Sequence, residues 1–234
     1  MELIKTLIEW DKDLLIFLNG FTSDFWDYVF WLISSKTIWI PVYVSIAYVI
    51  VKKNWKTGIL TLLFIGLVIL LCDQISTEVF KHGIKRFRPT HDPVIGGLVD
   101  IVGGYRGGKY GFVSSHAANV FGLAVFTGRL FKTKSYSYFI FTWAILVSYS
   151  RIYLGVHYPY DIIGGAIVGS VIGWSVFKLY IKTQNLSFSN TNNLTPPAWY
   201  TSQQYLTKDL SIIFTISATL STFIFLGSKI LLKI

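Results

Sequence analysis

His157 and Asp161 stand four residues apart in the stretch SRIYLGVHYPYD, residues 150–161, and Arg151 precedes them. Pro159, between the histidine and the acid, suits the first turn of a helix. Across a helix start, this offset can bring the carboxylate to one imidazole nitrogen. That contact fixes the tautomer and leaves the other nitrogen free to attack, as the acid orients the base in a catalytic triad. Two further stretches carry matching chemistry: KHGIKRFRP supplies Lys81 and Arg88, and GFVSSHAAN supplies Ser114, Ser115 and His116. Lys81, Arg88 and Arg151 make three fixed positive charges. A carboxylate rarely needs three, whereas a phosphoryl group spreads its charge over several oxygens and does. Arg presents a planar fork to two oxygens and Lys a point charge. Ser114 reads as the N-cap of a following helix, and the free N–H groups of a helix start attract anions. Ser114 and Ser115 therefore add neutral donors to the same anion. Phosphoryl transfer without a metal needs a nucleophile and a proton donor, and His116, on its own helix start, can protonate the leaving oxygen.

Each residue taken singly has an ordinary explanation. A basic residue near a membrane interface snorkels to headgroups, and Asp161 complements a helix dipole. The ordinary explanation fails for the set, because all these groups fall on one predicted face. The other histidines, His82 and His91, read as loop residues. Lys85, Arg86, Arg106 and Lys109 read as headgroup contacts or a solvated rim. Asp73 and Glu78 read as structural partners of Lys81 or of a neighbouring span.

The elements that must position these groups follow from composition. Of the 234 residues, 53% are hydrophobic and only 14% charged, where a soluble domain carries about a quarter charged. The apolar residues fall in blocks approaching the ~20 residues that span a hydrocarbon core. The fold predicted is an all-α polytopic membrane bundle of about six transmembrane helices, preceded by an amphipathic helix. In that first helix, residues 3–18, apolar groups alternate with Glu9, Asp11, Lys12 and Asp13, a pattern suited to lying on the membrane. Spans are predicted near 25–51, 57–80, 115–131, 136–153, 159–181 and 209–231, the first interrupted by Ser34, Ser35 and Lys36. In the fifth, Gly165, Gly169 and Gly173 recur every four residues and predict a close helix-packing seam. Residues 183–207, rich in Asn, Ser and Thr, read as a polar linker.

Counting crossings puts the 81–113 loop and the 150–161 stretch on one side of the membrane. Lys52, Lys53, Lys56, Arg129, Lys132, Lys134, Lys178 and Lys182 collect on the other, which basic short loops assign to the cytoplasm. The 81–113 loop is itself basic, which a substrate-binding role for its cations would explain. The net charge of +9 lies between spans and forms no tail, so it points to anionic lipid and away from nucleic acid. The single cysteine, Cys72, sits inside an apolar block and says little about redox compartment.

At the three quoted stretches the sequence resembles the type 2 phosphatidic acid phosphatase superfamily. The family signature is Lys-x6-Arg-Pro, Pro-Ser-Gly-His and Ser-Arg-x5-His-x3-Asp. Lys81, Arg88 and Pro89 match the first part, Ser114 and His116 the second, and Ser150, Arg151, His157 and Asp161 the third. The resemblance covers residues 58–180 or so. It implies a metal-independent lipid phosphatase with no cofactor, in which His157 forms a phosphohistidine, Asp161 orients it and His116 is the general acid. Lys81, Arg88, Ser114 and Arg151 would hold the phosphate. Substrates implied are undecaprenyl diphosphate or a related bacterial lipid: lipid A, phosphatidic acid or phosphatidylglycerophosphate. The expected setting is the bacterial cytoplasmic membrane with the site on its periplasmic or extracellular face. The expected organisation is a membrane phosphatase domain over 1–182, the linker, and an additional helix over 208–234. Val113 and Ser115 depart from the family's Pro and Gly, and Ser115 bears on site geometry because Gly lets backbone N–H groups approach phosphate unobstructed. The alternative is a non-catalytic lipid-binding or transport protein on the same scaffold.

Overall fold

Three polar residues in the first apolar block decide how the chain enters the bundle. In the computed structural model, which describes residues 2–188, 205 and 207–231, helix α1 (Glu2–Asn19) is followed by α2 (Asp24–Ser34) and α3 (Ile40–Lys53). Helix α2 ends where Ser35 turns extended. A 3-10 turn over Thr37–Trp39 then restarts the chain, so α2 and α3 form a helix pair bent by 67°. The Trp39 indole N–H closes the corner by donating to the Ile33 carbonyl at 2.8 Å.

Helix α4 (Trp55–Ile84) starts at Asn54, whose side chain accepts from the N–H groups of Lys56 and Thr57. It passes through a π-helical stretch, Ile75–Lys81. Such local widening of a helix often falls at functional sites, and here it ends on Lys81. Helices α5 (Ser115–Phe131), α6 (Lys134–Tyr153), α7 (Pro159–Phe188) and α8 (Thr207–Leu231) complete the bundle. Helices α4, α7 and α8 each have the length and apolarity of a crossing, and α2 with α3 has them as a bent pair. Helix α5 has 17 residues and is enclosed by its neighbours, burying Ala117, Ala118, Leu123, Ala124 and Phe126. Outward-facing Ile163, Ile167 and Val171 on α7, and Ile59, Leu63 and Leu70 on α4, suit a lipid surround.

Helices α5 and α7 make the tightest pairing. A Cβ on Gly165, Gly169 or Gly173 would strike the backbone carbonyl oxygen of Ser114, Ala118 or Gly122 respectively. The predicted glycine seam is thus the α5–α7 interface. Because Ser114 opens α5 and Asp161 lies in the first turn of α7, the seam sets how close their site residues stand. One apolar core runs through the bundle, with Leu210, Ile213, Leu220 and Ile224 of α8 sharing it.

The structure adds detail to two expectations. Residues 183–188 continue α7 instead of opening the linker, and Gln184 is buried with its amide donating to the Tyr180 hydroxyl at 3.0 Å. The linker's residues 189–204 and 206 lie outside the described residues. Helix α1 is amphipathic but turned: Leu3, Ile4, Trp10 and Phe17 face outward, while Asp11, Leu15 and Asn19 are buried against the protein. Four-residue spacing puts these three on one stripe. Asn19 accepts from the Asp100 N–H at 2.7 Å and donates to the Tyr153 carbonyl at 2.7 Å, which fastens the helix to the bundle end.

Candidate active site

The three predicted stretches meet at that end. His157 sits in the short turn between α6 and α7, 1% exposed, and Asp161 is fully buried. His157 Nδ1 lies 3.3 Å from Asp161 Oδ2, and the same oxygen accepts the Tyr158 backbone N–H at 3.1 Å. With Nδ1 turned to the acid, Nε2 is the nitrogen left to act. Burial first, then the positive charges of Arg88 and Arg151, hold the His157 imidazole well below the ordinary 6.5.

The start of α5 is tied to the start of α7, since Ser114 donates its backbone N–H to the Asp161 carbonyl at 2.9 Å. The Ser114 hydroxyl caps α5 by accepting from Ala117 N–H at 3.4 Å. Ser115 Oγ accepts from Lys81 Nζ at 2.5 Å. Arg88 is aimed by two backbone carbonyls, donating from Nε to Tyr110 and from Nη1 to Val156, each at 3.2 Å. Gly111 permits this closeness: a Cβ there would lie 2.8 Å from Asp161 Oδ2 and 3.2 Å from Arg88 Cγ. Arg151, 3% exposed, donates to Ser34 Oγ at the corner of the bent pair and stacks near the Tyr105 ring at 5.6 Å. Its Nε is buried with no hydrogen-bond partner. Among the described residues, none of Lys81, Arg88 and Arg151 has a carboxylate within salt-bridge distance. Arg88 and Arg151 are buried, and buried cations without counter-ions are costly. His116 follows Ser115 in the first turn of α5. It lines a cavity of about 260 Å³ with Ser34, Ser35 and Lys36 at one end and Trp39, Ile46, Leu62, Ile65 and Val147 beyond.

Sequence reasoning missed several of these groups. Arg86, read as rim or headgroup contact, instead donates to Asp161 Oδ1 at 3.1 Å and to Asp11 Oδ2 at 2.7 Å. Its plane lies over the Tyr158 ring, 4.0 Å from the centroid. Asp11, read as part of the solvated stripe of α1, is fully buried beside it. Ser34 and Lys36 were visible only as a break in a span. Glu78, read as a partner of Lys81 or of another span, instead bonds His82 at 3.1 Å on the surface.

One end of this helical bundle thus gathers two histidines, an acid and three cations. The chain belongs to the PAP2 superfamily, whose profile matches residues 58–184. It is 44% identical over 182 residues to the lipid A 4'-phosphatase of Bacteroides thetaiotaomicron, covering 77% of this chain and 81% of that protein. It is 37% identical over 218 residues to the lipid A 4'-phosphatase of Porphyromonas gingivalis, covering 93% and 92%. Its fold is similar to the crystal structure of a transmembrane PAP2 type phosphatidylglycerolphosphate phosphatase from Bacillus subtilis. There the TM-score is 0.57 at 22% identity, over 76% of this chain and 87% of that one.

Proposed function

We propose that this membrane lipid phosphatase removes a phosphate from lipid A or a closely similar phosphorylated saccharolipid, using His157 as nucleophile. The observation that carries the chemistry is the trio of cations with no carboxylate partner among the described residues, one of them with a buried Nε that has no hydrogen-bond partner there. They supply about the charge a phosphate dianion and its transition state require. The apolar cavity behind His116 suits the acyl part of a lipid. The choice of lipid A over undecaprenyl diphosphate follows the two curated relatives, which between them resemble nearly the whole chain.

In this reading His157 Nε2 attacks phosphorus while Lys81, Arg88 and Arg151, with the donors at Ser114 and Ser115, hold the non-bridging oxygens. The ester oxygen leaves with a proton from His116, which is charged once the phosphate anion lies beside it. The phosphorylated imidazole keeps its Nδ1 proton, and Asp161 balances the ring's positive charge. His116, now neutral, takes a proton from water as that water attacks phosphorus. Phosphate departs, and both histidines return to their starting state. Two-step displacement with the same acid serving as base is ordinary covalent catalysis. The site end is assigned to the outer face, because Lys52, Lys53, Lys56, Arg129, Lys132 and Lys134 flank the opposite ends of α3, α4, α5 and α6.

The test is phosphate release by the purified protein in detergent from lipid A, undecaprenyl diphosphate and phosphatidylglycerophosphate. Lipid A is expected to be the preferred substrate. His157→Ala is expected to lose at least about 10³-fold in kcat together with any acid-labile phosphoenzyme. Preference for another lipid would overturn the substrate, and full activity in His157→Ala the mechanism.

A further inference from the structure

The PAP2 match begins at residue 58, yet a carboxylate from α1 reaches the residues that orient His157. Asp11 is 0% exposed. Its Oδ2 accepts from Arg86 at 2.7 Å and its Oδ1 from the backbone N–H of Tyr160 at 2.9 Å. The other terminal nitrogen of Arg86 donates to Asp161 Oδ1 at 3.1 Å. Asp161 Oδ2 is the atom facing His157 Nδ1. A continuous path therefore runs from α1 through one guanidinium to the acid of the relay.

Docking of α1 does not call for this buried charge. Asn19 already binds Asp100 and Tyr153, and Lys12 pairs with Asp92 at 3.1 Å. A buried carboxylate is an expensive way to hold a helix. Its electrostatic effect is more telling. With both carboxylates ionised, the one guanidinium between them leaves the trio with a net charge of −1. If Asp11 were neutral, Arg86 would spend its full charge on Asp161, and Asp161 would be a poorer partner for the cationic ring that forms when His157 carries phosphate. The Tyr160 N–H also ties Asp11 to the first turn of α7, beside Asp161 itself. We propose that Asp11 is a positioning residue of the phosphatase, acting through Arg86 to fix the orientation of the Asp161 carboxylate toward His157. The proposal rests on the function given above.

The test uses the full-length enzyme in detergent and compares Asp11→Asn, Asp11→Glu, Arg86→Gln and the double variant Asp11→Asn/Arg86→Gln. Asn keeps the shape and an acceptor for Tyr160, so the fold is expected to hold, as thermal unfolding will report. Asp11→Asn is expected to lower kcat about 10- to 100-fold with KM within about twofold, the pattern of an interaction felt in the transition state. Asp11→Glu is expected to recover part of the loss. In the Arg86→Gln background, Asp11→Asn is expected to cost less than about twofold more, because residues acting in series are not additive. Unchanged kcat, a loss matched by KM or by unfolding, or an equal loss with Arg86 already removed would overturn the role. An inactive wild-type enzyme would overturn the function and this role together; an active one indifferent to Asp11→Asn would overturn this role alone.

Discussion

Lys81 donates to the Ser115 hydroxyl at 2.5 Å, joining the π-helical end of α4 to the first turn of α5. The family motif has Gly at that position, so this chain gives Lys81 an acceptor that the motif does not supply. The bond places a flexible ammonium before any substrate arrives, which spares ordering entropy on binding. Ser115→Ala is expected to raise KM for the lipid about 3- to 10-fold with kcat within about threefold, the size of one modest hydrogen bond to a charged group. Steady-state kinetics on the two enzymes check this. A lower KM in the variant would show that the hydroxyl competes with phosphate and would refute the account.

The α5–α7 seam leaves no room for a methyl group. At Gly169 the added Cβ would meet the carbonyl oxygen of Ala118, which is backbone and cannot swing aside. The two helices must then separate. Gly169→Ala is expected to destabilise the protein by about 1–3 kcal/mol, read as a lower unfolding midpoint in detergent. Gly165→Ala, one turn closer to the site and against Ser114, is expected to lose activity as well, because Ser114 and Asp161 are bonded across that gap. An unaltered midpoint in Gly169→Ala would mean the helices are looser than the structure shows.

His157 is expected to stay neutral at acid pH. Burial and the nearby cations depress its proton affinity, so the imidazole is a free base above that lowered value. It would take a proton only as pH falls through it, below the ordinary 6.5. In substrate-free enzyme carrying ¹⁵N-labelled histidine, the His157 ring nitrogens are expected to keep neutral-form shifts at pH about 6, where an ordinary imidazole is mostly protonated. Titration at or above 6.5 would show the ring to be more solvated, or the cations farther away, than described. Phosphate in the site would act oppositely, since a bound anion favours the protonated ring.

The site was legible where its chemistry is local in the chain. The four-residue offset of His157 and Asp161, the Pro159 start and the Ser114 cap are short-range features, and each follows from helix geometry. The glycines were legible too, because a four-residue repeat of small side chains has one obvious use in lipid. Asp11 and Arg86 were not. They meet across 75 positions, and a carboxylate flanked by Glu9, Lys12 and Asp13 looks like part of a wet stripe. Helical periodicity gives the stripe but not which side of the helix the bundle takes. Here the bundle takes the side holding Asp11 and Asn19 and leaves Leu3, Ile4 and Trp10 outward. The continuation of α7 through Gln184 was hidden for a similar reason, since a polar residue inside a polar stretch gives no sign of its buried partner Tyr180.

The corner at Ser34 has a last consequence. Because the chain turns there, the space beside His116 has polar walls at Ser34, Ser35 and Lys36 and buried aliphatic and aromatic walls beyond them. On the proposed function, a lipid would present its head to His116 from this side while its chains stay in the bilayer. Encounter then becomes a two-dimensional search, and the rate follows the mole fraction of substrate in the surface in place of its bulk molarity. Adding inert detergent at constant substrate would slow such an enzyme by dilution of the surface alone.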